Sequence, residues 1–158
     1  MDLLYAHLLL NHVPVIGTIA CVLLLAAAFF TRSKDLATAG LVGMVFVALA
    51  TIPVYLTGEP AEERVEHIAG FDRHAIHEHE EAAEYAFVAM EVAGAVALLS
   101  LIMSRRRPTS RAWLGATLLV TLFAFSTIAR TAYLGGEIRH TEVKAAPAAA
   151  HDEGGDDD

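Results

Sequence analysis

Four long apolar runs alternate with short polar segments along this chain. A run of about 20 apolar residues spans the roughly 30 Å hydrocarbon core of a bilayer. The runs predict helices over about 3–30, 36–56, 75–103 and 113–134. The fold class read from them is all-α: a four-helix transmembrane bundle over 1–142, in one domain. Residues 143–158 are mostly Ala, Pro, Gly and Asp. This stretch has too little apolar surface to fold and is expected to be a disordered acidic tail.

The polar segments orient the helices. The first loop carries Arg32 and Lys34, and the third carries Arg105, Arg106, Arg107 and Arg111. The second loop is rich in Glu, and no Lys or Arg precedes the first helix. Basic loops stay in the cytoplasm, so the second loop and both termini are expected outside it. The expected location is a bacterial inner membrane, crossed several times. The start of the chain has no basic n-region and no small-residue cleavage site after its first apolar run, so that helix is expected to be retained.

Composition agrees with this picture: 55% of the 158 residues are hydrophobic. The net charge of −8 comes from one loop and the tail, which gives no reason to expect a nucleic-acid partner. The one cysteine, Cys21, lies inside an apolar run and reads as a small buried residue.

The histidines add candidate chemistry. His7 and His12 fall at the outer end of the first helix. His67, His74, His77 and His79 precede or open the third helix, and His140 and His151 follow the fourth. None falls on the predicted cytoplasmic side. A weak repeat accompanies them: Tyr55-Leu56-Thr57-Gly58-Glu59 ends the second helix and Tyr133-Leu134-Gly135-Gly136-Glu137 ends the fourth. Two parallel helical hairpins related by an axis along the membrane normal would give this pattern, with a site between them.

Charged groups within a span are functional hypotheses by default. Glu84 and Glu91 lie on the third helix and Arg130 on the fourth, so an Arg130 ion pair with either carboxylate is expected. Pro14 and Pro53 each remove one helix hydrogen bond and are expected to bend their helices.

Two cofactor readings compete. His79 and His12 open the equivalent helices of the repeat at similar depth and would ligate haem iron axially, with His7 or His140 as substitutes or a second pair. Arg130 or Arg139 would pair with a propionate. Four-helix bundles hold cofactors between facing helices, and Gly17, Ala86, Ala89 and Ala93 leave room for a flat ring. Without a Cys-x-x-Cys-His sequence, the haem would be b-type. Alternatively, His74, His77, Glu81, Glu84 and Glu91, with His140, would hold a Zn, Cu or Fe ion. A solvated acidic helix start, or a cofactor-free subunit of a larger complex, are the plainer readings. No nucleophile constellation, phosphate loop or HExxH motif is present, which favours an electron carrier or binding protein over a stand-alone enzyme. Lipid, other redox membrane subunits or further copies of the chain are the expected partners.

The opening His7-Leu-Leu-Leu-Asn11-His12-Val13-Pro14 resembles the start of a family of four-helix bacterial membrane proteins of unknown function (number 2231). That family opens on two histidines five apart and then an aromatic-Pro pair; Val13 stands at the aromatic position. The segments from Thr57 to Glu63 and from Leu134 to Glu142 look like hallmarks of related uncharacterised membrane proteins. The resemblance implies the same topology and singles out His7, His12, His79 and His140. It implies no activity.

Overall fold

A computed structural model describes residues 3–66, 73–104 and 110–138. The chain is all-helical: α1 (Leu3–Leu10), α2 (His12–Thr31), α3 (Lys34–Glu66), α4 (Arg73–Ser104) and α5 (Arg111–Glu137). Together α1 and α2 form one span of 29 residues; the other three candidate spans contain 31, 32 and 27. Each is long and apolar enough to cross a bilayer.

The break between α1 and α2 is slight. Asn11 keeps right-handed helical angles, and its N–H donates to the His7 carbonyl over 2.9 Å. Pro14, three residues on, has no N–H to offer Leu10. The Thr18 hydroxyl bonds the Pro14 carbonyl and also reaches the Met90 sulfur on α4. The bond to Pro14 is a hydroxyl bond to the carbonyl four residues back; the acceptor that Pro14 leaves without its helix donor is the Leu10 carbonyl. Thr57 does the same near Pro53, donating to the carbonyls of Pro53 and Val54.

Successive spans run antiparallel and pack in chain order, and α2 closes the ring on α5. The buried seam of the first span reads Pro14, Thr18, Cys21, Leu25, Ala28, steps of three and four that keep one face inward. The seam of α4 is small: Ala82, Ala86, Ala89, Ala93, Gly94 and Ala97. At Gly94 a methyl group would collide with Ala48 Cβ, so α3 and α4 touch almost backbone to backbone there.

The exterior differs from that of a water-soluble bundle, and the apolar core contains several hydroxyls. Thr18, Thr51, Ser100, Thr117, Thr121 and Thr131 are buried, while Phe30, Phe46, Leu56, Leu119 and Phe123 are exposed. Exposed apolar side chains of this size suit a surface that meets lipid. Lipid is as apolar as leucine, so these helices associate through close packing and interhelical hydrogen bonds. Ser100 to Thr117, 3.0 Å, and Thr131 to the Ala82 carbonyl, 2.9 Å, are two such bonds between α4 and α5.

Two helix ends differ from the sequence expectation. The second helix was expected to stop near Leu56, but α3 continues to Glu66, and α4 begins at Arg73. Gly58 and Pro60 suggested a stop. However, Ala61, Glu62, Glu63 and Arg64 are good helix formers, and Ala61 gains burial. The acidic tail, with the segments 67–72 and 105–109, lies outside the described residues.

Candidate functional site

One end of the bundle carries the histidines, and there two imidazoles face inward. His7, on α1, places its Nδ1 3.0 Å from the Val54 carbonyl and 3.3 Å from the Thr57 hydroxyl. His79, on α4, places its Nδ1 2.9 Å from the Thr131 carbonyl. A carbonyl only accepts, so in each ring Nδ1 carries the proton and Nε2 the lone pair.

The two stations share a construction. Each accepting carbonyl already sits in a helix and offers its second lone pair to the imidazole. A side chain one turn later, at the fourth residue on, would cover that lone pair. In both helices that residue is glycine: Gly58 after Val54, and Gly135 after Thr131. A methyl at Gly58 would meet His7 Cε1 at 3.7 Å; at Gly135 it would press on His79 Cε1 at 3.0 Å. The end of the fourth helix thus contains the glycine that admits His79, whereas a methyl at Gly58 would make only ordinary contact with His7. Reading the repeat as a pattern did not reveal this role, because the signal lies in the four-residue spacing between carbonyl and glycine.

The structure separates His12 from this pair. His12 is exposed. The inward seam of the first span, extended upward from Pro14, passes through Asn11 and His7; His12 stands about 100° off it. Asn11 is the neighbour that turns inward, and its Oδ1 is buried without a hydrogen-bond partner.

The acidic start of α4 does not converge. His74 approaches Glu78 at 3.7 Å, and His77 approaches Glu80 at 3.5 Å and Glu81 at 3.4 Å, all on the exposed face of one helix. Glu84 is exposed as well. From His74 to Glu91 the candidate ligands spread over about 25 Å of helix, too far for one ion. Among the described residues no three His, Cys, Asp or Glu side chains come together.

The expected Arg130 ion pair is not formed with Glu84 or Glu91. Arg130 projects outward between the inward-facing Ile128 and Thr131, and Glu91 Oε1 is buried without a partner. Arg139 and His140 lie outside the described residues. Stacking of Tyr55 on Phe87, with ring centroids 4.3 Å apart, braces α3 against α4 below the histidines.

No family model, curated protein or solved structure matches the chain.

Proposed function

We propose that this is an integral membrane b-type haem protein that carries electrons at the extracytoplasmic membrane face, with His7 and His79 as axial ligands. The observation that carries the reading is the donor set: two inward-facing imidazoles at one end of the bundle, each with Nδ1 held by a backbone carbonyl of the adjacent helix. Metal-ligating histidines have this support, which fixes the ring and makes Nε2 more basic. A Zn or similar ion takes three or four protein ligands, whereas haem needs only the two axial ones. The described residues supply two. Haem, when bound, supplies reversible one-electron transfer between its ferric and ferrous states.

The chain's own contribution is rigidity. Val54 and Thr131 hold each imidazole in one tautomer. Asn11, one turn below His7, offers a buried polar atom toward the same space. Arg130 and Arg139 remain the candidates for propionate partners. The basic loops place the opposite end in the cytoplasm, so the histidine end and both termini face outward, with two parallel hairpins around the site. Electron exchange would take place with other redox membrane subunits or with further copies of the chain.

The test is a visible absorption spectrum of the detergent-purified protein before and after dithionite. A Soret band with sharp α and β bands on reduction is expected. His7→Ala and His79→Ala should each abolish these bands, and His12→Ala should keep them. A flat spectrum from protein made with ample haem overturns the reading. Stoichiometric Zn, Cu or Fe in that colourless protein would favour the His/Glu ion site, with His140 as a ligand.

A further inference from the structure

The opposite end of the bundle carries a second feature. Between α2 and α5 lies a groove of about 630 Å³, lined by Phe29, Phe30, Gly115, Ala116, Leu118 and Leu119. Its walls are almost wholly apolar, and it opens onto the lipid-facing surface. Arg111 stands at its mouth, with the guanidinium carbon 4.6 Å from the centre of the Phe29 ring. This cation–π contact holds the charge over the groove while leaving Arg111 exposed.

The chemistry around the mouth has one sign. Arg32 and Lys34 follow α2 at the same end, and both are exposed. Arg111 also opens α5. Ser110 caps that helix by accepting from the Trp113 N–H, while the N–H groups of Arg111 and Ala112 have no intrahelical acceptor. A cation, two free N–H donors and the positive end of a helix dipole meet above an apolar trough. Gly115 keeps the trough open, because a methyl there would reach Phe29 at 3.2 Å.

We propose that this groove holds an acyl chain of an anionic phospholipid, with the phosphate at Arg111. The occupant must be apolar along its length and negative at one end, and it must reach the site from within the bilayer. A membrane phospholipid with a net-negative headgroup meets all three conditions. Basic pockets between membrane helices recognise such headgroups. The inference is independent of the haem reading, because the groove lies at the end of the bundle away from His7 and His79.

Native mass spectrometry of the full-length protein in detergent tests it, with phosphatidylglycerol titrated against phosphatidylcholine of identical chains. Phosphatidylglycerol should be retained about fivefold more tightly, the effect of one cation at a membrane surface. Arg111→Gln should erase that preference while leaving some of both lipids bound. Gly115→Leu, which fills the trough, should lower retention of both. Arg111 is exposed, so its variant tests the proposal even if Gly115→Leu folds poorly. Equal retention of the two lipids by the unaltered protein overturns the proposal, as does a preference that survives Arg111→Gln. If Gly115→Leu changes the oligomeric mass but not lipid retention, a second copy covers the groove and the lipid assignment fails.

Discussion

His79 and Gly135 show how much one absent side chain can decide. The Thr131 carbonyl reaches the imidazole only because nothing grows from Gly135 across its second lone pair. Gly135→Ala would set a methyl 3.0 Å from His79 Cε1 and 3.2 Å from its Nδ1, tighter than ordinary contact. The ring must then turn or withdraw, and the bond to Thr131 lengthens. The expected outcome is lower haem retention and a shifted α band in the reduced spectrum. Gly136→Ala is the matched control. It has no heavy atom within 4 Å of the added methyl and should leave the spectrum unchanged. Replacing a helical glycine by alanine should also raise its stability by up to about 1 kcal/mol, read as a higher melting temperature.

Residue chemistry was only partly legible in the sequence. The crowding of histidines at one end was plain, and His79 and His7 were both among the candidates. The preference for His12 over His7 as the partner of His79 came from the repeat and from depth, neither of which carries helical phase. Helical phase discriminates between them. Pro14, Thr18 and Cys21 mark the inward seam, and extending it in steps of three and four reaches His7 and misses His12. The carbonyl partners were out of reach for a different reason: a backbone acceptor has no side-chain signature, and only the glycine beside it leaves a trace.

At the scale of helices, the four spans were legible because apolar length is a strong signal. Their ends were not. The extension of α3 through Pro60 to Glu66 was hidden by residues that elsewhere mark turns. Contact distances between helices were also unreadable, although the run of alanines in α4 hinted at close packing. That packing gives a direct test. Gly94→Ala would force α3 and α4 apart at Ala48, and overpacking of this sort costs about 1–3 kcal/mol. Ala48→Gly removes the opposing methyl, so in the Gly94→Ala background it should restore much of the loss. Thermal melts of the two single variants and the double in one detergent would show it as a coupling energy. Additive losses would mean that the contact does not limit the approach of the helices.

The whole molecule has an interior of apolar side chains, many of them alanine, with a few buried hydroxyls, a largely apolar exterior along its spans, and two chemically different ends. One end carries the paired imidazoles; the other carries Arg32, Lys34 and Arg111. Which end faces the cytoplasm decides where the haem site would exchange electrons. On the charge bias of the loops, the arginine end is expected inside. Cys21 is the one cysteine and is 2% exposed, so a Cys21→Ala background is a modest change that leaves no competing thiol. In that background Gly136→Cys presents a thiol at the histidine end, and Lys34→Cys presents one at the basic end; both positions are exposed. With a membrane-impermeant maleimide, Gly136→Cys should react in right-side-out vesicles and Lys34→Cys only in inverted ones. The reverse pattern would keep the fold but turn the imidazole pair toward the cytoplasm, where its electron partners would have to be sought. Reaction of both thiols from one side would contradict the antiparallel spans, because an odd number of crossings separates Lys34 from Gly136.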